Sequence, residues 1–128
     1  MKTILLVDDD SRIHTIVAAY VNRFVLTSGK TVCLLSAYST SEALELLSPA
    51  IDCVLQDGEV DAVRDSIAAS VRFVREAREI IPAAVFVAIS MSDENNDLLL
   101  EAGCQQSLVK HELVRGGPLL GILTKLFS

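Results

Sequence analysis

A chain of 128 residues is one domain in size and long enough to bury a core. Although 51% of it is apolar and its mean hydropathy is +0.44, the apolar runs reach only about 5 to 7 residues before a charge or turn, against the roughly 20 that span a bilayer. The net charge of −6, with 11 basic residues scattered along the chain, offers no electrostatic footprint for nucleic acid, so neither direct nucleic-acid binding nor a membrane partner is expected.

In chain order, Lys2 leads into the apolar run Ile4-Leu5-Leu6-Val7, which meets acids at Asp8 and shows no small-residue cleavage pattern. A signal peptide is therefore not expected, and the cytoplasm is the expected location. The run is the first predicted strand, near 3–7. A helix follows with Ile13, Val17, Val21 and Phe24 on one stripe, ending before Ser28-Gly29. His14 on this helix reads as a solvated residue, because no second histidine or cysteine is spaced to join it as a ligand. The second strand falls near 31–36. Ser39 followed by Glu42 is a capping-box pattern that opens a second helix, whose apolar residues are Ala43, Leu44, Leu46 and Leu47 and which Pro49 stops.

The third strand, near 53–57, ends in Asp57. Val63, Ile67, Val71, Val74 and Ile81 then recur at helical spacing up to Pro82, with Arg64, Arg72, Arg75, Arg78 and Glu79 as the solvated face. The fourth strand, near 84–90, closes at Ser90. Ser92-Asp93 caps a short helix from Glu94 to Ala102 that stops at Gly103. The fifth strand, near 106–109, closes at Lys110, and Pro118 starts the last helix. There, Leu119, Leu120, Ile122, Leu123, Leu126 and Phe127 make an apolar face wider than one sheet surface needs. It reads either as deep packing beneath the fourth helix or as a face for a partner or a second copy. Cys33, Cys53 and Cys104, odd in number and without paired spacing, read as small buried apolar residues. Strand and helix alternate from end to end, which predicts one α/β domain over residues 1–128, its parallel sheet covered on both faces.

In such a sheet the carboxyl ends of the strands share one edge, where open α/β folds bind ligands. Asp8, Asp9, Asp57, Ser90 and Lys110 all close strands. Carboxylates gathered there raise one another's pKa unless a positive charge sits among them. Lys110 is one candidate, and a hard divalent cation such as Mg²⁺, which takes oxygen ligands, is another. Simpler readings exist for each residue. Asp8 and Asp9 could cap the first helix at Asp10-Ser11, Asp57 could be a turn acid before Gly58, Ser90 a loop start and Lys110 a surface lysine. Together these readings need four coincidences.

At these residues the chain resembles the receiver domain of two-component response regulators, the phosphoacceptor family that includes the single-domain chemotaxis regulator. Ile4 to Asp10 is similar to its first strand and acid pair, Cys53 to Asp57 to its third strand and phosphoacceptor, and Val87 to Ser90 to its hydroxyl strand. Ala102-Gly103 followed by Leu108-Val109-Lys110 is similar to its lysine strand. The resemblance covers nearly the whole chain. It implies a doubly wound, flavodoxin-like sheet of five parallel strands in the order 2-1-3-4-5 with five helices. It also implies a signalling switch rather than an enzyme, taking a phosphoryl group from a histidine kinase or phosphotransfer protein onto Asp57 and signalling to a downstream protein. Mg²⁺ would be held by Asp9, Asp57 and the backbone carbonyl of Glu59, with Asp8 acting through water. Lys110 and Ser90 would meet the phosphoryl group, and the fourth and fifth helices would offer a homodimer face.

The departures from the family pattern are local. The run Gly58-Glu59-Val60-Asp61-Ala62-Val63-Arg64-Asp65 replaces the usual Met-Pro and Asp-Gly, and Glu59 and Asp61 add negative charge beside the acids. His111 stands where a cis proline is usual, so a trans peptide is expected after Lys110. Ser107 replaces the aromatic residue that couples the site to the outer face, and Met91 is long enough to lie over the phosphoryl site. These changes raise an alternative, a receiver-like module that no longer accepts phosphate and acts as a constitutive interaction or dimerisation domain. An enzyme turning over phosphorylated small molecules on Asp57 would need a general acid and a lid, and neither is recognisable.

Overall fold

The computed structural model describes residues 1–60 and 66–128. Strand β1 (Lys2–Val7) buries Ile4, Leu5, Leu6 and Val7 completely. A continuous apolar run, rather than an alternating one, is what a strand covered on both faces requires. It pairs in parallel with β2 (Val32–Ala37), Leu5 facing Leu35, and with β3 (Cys53–Gln56), Ile4 facing Cys53. Strand β4 (Val85–Ala88) lies against β3, and β5 (Gln106–Ser107) against β4. The sheet is all-parallel in the order β2-β1-β3-β4-β5, as expected.

Helices α1 (Ser11–Ser28), α2 (Thr40–Leu46), α3 (Ser66–Ile80), α4 (Asp93–Ala102), α5 (Lys110–Leu113) and α6 (Gly117–Leu126) complete the fold. Two apolar layers result. Leu5, Val7, Val54 and Phe86 meet Ala43 of α2, Phe73, Val74 and Ala77 of α3, and Leu99 of α4. On the other face Ile4, Leu6, Leu55 and Val87 meet Val17, Val21 and Phe24 of α1, Leu113 of α5, and Leu119 and Leu123 of α6. Each fully buried leucine or phenylalanine contributes about 1.5 to 3 kcal/mol relative to exposure.

Several expectations need correction. Among the described residues there are six helices rather than five, because Lys110 to Leu113 form a separate turn. A residue before proline is disfavoured in the α region, and His111 lifts that restriction from Lys110. The Lys110–His111 peptide is trans, as expected. Gly116, at φ 86°, breaks the chain between α5 and α6, and a Cβ there would run into the Tyr20 ring. The apolar stripe of the third helix is centred on Phe73, Val74 and Ala77, with Ile67 and Val71 only half-buried. Val63, Arg64 and Asp61 lie outside the described residues. Arg72, Arg75 and Glu79 are solvated, whereas Arg78 lies over the Phe86 ring.

The last helix packs against α1 rather than beneath α4. Its Leu119, Ile122 and Leu123 are buried and Phe127 stacks on Phe24. Cys53 and Cys104 are buried, with thiols pushed up to about 12 by burial, while Cys33 is half-buried. No helix among the described residues is long and apolar enough to cross a membrane.

Candidate phosphoacceptor site

The end of β1 is locked beside those of β3 and β2, since the Asp57 N–H donates to the Val7 carbonyl at 2.9 Å and the Asp8 N–H to the Ala37 carbonyl at 3.1 Å. This places Asp8, Asp9 and Asp57 together, with one carboxylate oxygen of each within 4.8 Å of the others. Asp8 and Asp57 are buried and Asp9 is exposed. Lys110, carried by the first turn of α5, reaches both buried acids, its Nζ lying 2.8 Å from Asp57 Oδ1 and 2.8 Å from Asp8 Oδ2. Among the described residues the sequence-predicted acids and lysine are thus brought together.

The helix-capping alternative is resolved by the neighbouring residue. Asp10 is the N-cap of α1, accepting from the Arg12 N–H at 2.9 Å and from its guanidinium at 3.1 and 2.9 Å. Those Arg12 hydrogen bonds hold its carboxyl down at about 2. Asp8 instead accepts from the Asp10 N–H at 2.9 Å and pairs with Lys110, which leaves Asp9 free to face solvent.

Charge in the cluster is unbalanced, with three carboxylates against one ammonium. Burial raises the Asp57 pKa, Asp8 adds to the rise, and Lys110 opposes it. Burial and then Asp8 raise Asp9 likewise. Burial alone would lower Lys110, but its two carboxylate partners outweigh that and raise it. An oxygen-only donor set short of positive charge suits a hard divalent cation. The residues present fit Mg²⁺.

Ser90 lies two residues beyond β4, almost fully buried. Its Oγ accepts from the Ser92 N–H at 3.2 Å. Gly58 passes so close that a Cβ on it would fall 3.0 Å from Ser90 Oγ and 3.1 Å from Asn95 Cβ, so any larger residue would push on both neighbours. The Asn95 amide donates to Glu59 Oε1 at 3.2 Å, tying the segment after Asp57 to the first turn of α4. Met91 is 65% exposed. It lines a cavity of about 450 Å³ together with Arg12, Ile13, Lys110 and His111, at the wall of the site. Ser107 is exposed.

Three residues of the site escaped the sequence reading. Asn96 accepts from the Ser90 N–H at 2.8 Å and donates to the Ser90 and Leu108 carbonyls at 3.2 and 3.3 Å. The signal for it was a polar residue on the buried α4 stripe with Leu99 and Ala102. Gln56, fully buried, donates to the Asp57 carbonyl at 2.9 Å. It stood in plain view as an amide inside a central strand. The third is His14, expected to be solvated and found only 5% exposed. Its position next to Ile13 on the stripe was the available hint.

No protein-family model matches the chain, and no curated protein matches it. Solved structures do. A response regulator from Thermotoga maritima superposes with a TM-score of 0.75 at 20% identity, covering 98% of this chain and 97% of its own. The BeF3-activated receiver domain of DrrB, a Thermotoga maritima OmpR/PhoB homologue, gives 0.77 at 18% identity, over 99% and 97%. Vibrio cholerae chemotaxis protein CheY4 gives 0.73 at 21% identity over 98% of each chain. Over nearly its whole length, the chain has the fold of the response-regulator receiver domains.

Proposed function

We propose that the chain is a phosphoacceptor switch, taking a phosphoryl group from a phosphohistidine of a cytoplasmic histidine kinase or phosphotransfer protein and signalling to a downstream protein by contact. The observation that carries this reading is the buried Asp57 carboxylate held 2.8 Å from the Lys110 ammonium beside Asp8 and Asp9. The BeF3-activated state of the similar DrrB domain supports it.

In the transfer, an Asp57 oxygen forms a bond to phosphorus as the P–N bond to the donor imidazole breaks, and the electron pair returns to the ring nitrogen. A carboxylate is a weak nucleophile, so the site must act through positioning and charge neutralisation. Lys110, a compact point charge, would exchange its contact with Asp57 for one to a phosphoryl oxygen. The Ser90 hydroxyl, beside Gly58, would donate to another. Asp8, Asp9, Asp57 and the Glu59 carbonyl would hold Mg²⁺, which when bound neutralises charge on the phosphoryl oxygens.

A second reading, a constitutive module that accepts no phosphate, draws on the exposed Ser107, which offers no aromatic coupling, and on the Glu59 side chain held by Asn95. One experiment separates the two. Backbone NMR shifts are recorded with Mg²⁺ and beryllofluoride for wild type and Asp57→Asn. Shifts at Asp57, Ser90 and Lys110 that vanish in the variant support the phosphoacceptor. Mg²⁺ binding with no response to beryllofluoride supports the module.

A further inference from the structure

His14 is the one buried polar side chain of the α1 core stripe, and its neighbours there are Ile13, Val17, Val21 and Phe24. An apolar residue would fill the same space without leaving Nδ1 buried and unpartnered, as it is here. The other ring nitrogen makes a short contact, Nε2 lying 2.7 Å from the Asp8 backbone carbonyl. A carbonyl has no proton to give, so Nε2 carries the hydrogen and donates it, which fixes the tautomer. Tyr38, following the end of β2, lies flat against the imidazole with ring centroids 4.1 Å apart and planes inclined by 29°. The Tyr38 N–H donates in turn to Glu42 Oε2 at 2.7 Å, anchoring the segment to α2.

The Asp8 carbonyl belongs to the peptide that joins the two acids. A donor on that oxygen sets the rotation of the Asp8–Asp9 peptide, and with it the direction in which the exposed Asp9 carboxylate leaves the backbone. The opposite side of Asp8 is held through its carboxylate by Lys110 and the Asp10 N–H. Without the ring, the carbonyl that joins the two acids would lose the donor seen here, leaving Asp8 held through its N–H and its carboxylate.

Resting on the phosphoacceptor reading of the site, we propose that His14, braced by Tyr38, is a positioning residue for the acid pair, holding the Asp8–Asp9 peptide in the orientation that binds a divalent cation. Groups that orient metal-binding carboxylates govern affinity without touching the ion.

The test is a Mg²⁺ titration of wild type, His14→Phe and His14→Gln, followed through the backbone amide shifts of Asp9 and Asp10, with urea unfolding of each as the measure of stability. His14→Phe keeps the bulk and the stacking face but has no donor, and is expected to weaken Mg²⁺ binding by about tenfold. His14→Gln places an amide N–H near the same oxygen and is expected to recover most of that loss, whichever of the two variants is the more stable. Equal affinity in wild type and His14→Phe overturns the proposal while leaving the phosphoacceptor reading intact. Failure of wild type to bind Mg²⁺ overturns both. Should His14→Phe not fold, the imidazole ¹⁵N shifts of wild type decide. A protonated Nε2 that shifts on Mg²⁺ addition supports the role, and an unprotonated Nε2 ends it.

Discussion

Replacing Lys110 with methionine keeps the aliphatic stem and deletes the charge that sits between two buried acids. Its Nζ makes two contacts of 2.8 Å, and its side chain is 13% exposed. At an effective dielectric of about 20, each contact is worth about 6 kcal/mol of attraction, most of it offset by the cost of taking the ammonium out of water. Breaking a buried pair by removing one partner typically costs about 3 to 5 kcal/mol, and the residual solvent contact of Lys110 places the expected loss near the lower end. The loss has a pH signature. Asp57 already has a raised pKa from burial and Asp8, and without the opposing ammonium it rises further. Between its unfolded and folded pKa values the folded chain holds a proton that the unfolded chain has released, so stability falls as pH rises through that window. Urea unfolding of Lys110→Met without Mg²⁺ should therefore show the full deficit at about pH 7.5 and a much smaller one at about pH 3.5, below the carboxylate's unfolded value. Adding Asp57→Asn should restore much of the loss. A variant as stable as wild type, or a deficit independent of pH, would refute the electrostatic account.

The same sign argument applies to Asp57→Asn alone. Because burial and Asp8 disfavour the charged carboxylate, the amide should raise the melting temperature at neutral pH without Mg²⁺, and differential scanning calorimetry should find the gain absent in acid. Gly58→Ala would bring a Cβ to 3.0 Å from Ser90 Oγ. Overpacking of this kind costs about 1 to 3 kcal/mol, and beryllofluoride-dependent shifts at Ser90 should weaken more than Mg²⁺ binding does. Phe73→Ala empties a fully packed position beneath β3 and β4 and should cost about 3 to 5 kcal/mol in urea unfolding, with Mg²⁺ affinity unchanged. Asn96→Ala would leave the buried Ser90 N–H unpaired, costing about 1 to 3 kcal/mol, and native-state hydrogen exchange at Ser90 should accelerate.

The fold was legible because five apolar runs end in polar residues and helical periodicity fills the gaps between them. Asp8, Asp57, Ser90 and Lys110 could be placed on one edge by strand polarity alone. What pattern cannot register is which side chains reach across elements. Asn96 bonds backbone groups of two different loops, and His14 bonds a carbonyl six residues back across the N-terminus of its own helix. Periodicity assigns both to a face but is silent on the partner. The third helix was misjudged by the same limit, since Ile67 and Val71 match the spacing as well as Phe73 and Ala77 do, and only packing against β3 and β4 decides between them. The extra helix α5 is permitted by His111, whose consequence is an allowed backbone conformation at Lys110 rather than a hydrophobic pattern.

These features bear on how the site could communicate with the surface. Ser107 supplies no aromatic ring, yet Ser90 is not isolated from β5. Its carbonyl accepts from the Lys110 N–H at 3.2 Å, and the Asn96 amide bridges that same carbonyl to Leu108. Any displacement of Ser90 toward Asp57 would have to stretch these bonds together with the Asn96 bond to its N–H. Leaving a buried polar group unpaired costs about 1 to 3 kcal/mol, so movement of α4, the β5 end and the first turn of α5 together with Ser90 would be favoured over a displacement that breaks these bonds. On the phosphoacceptor reading, coupling would run through the buried Asn96 amide and the backbone rather than through a rotating ring. Asn96→Ala should then free Ser90 while leaving the acid pair and Lys110 in place.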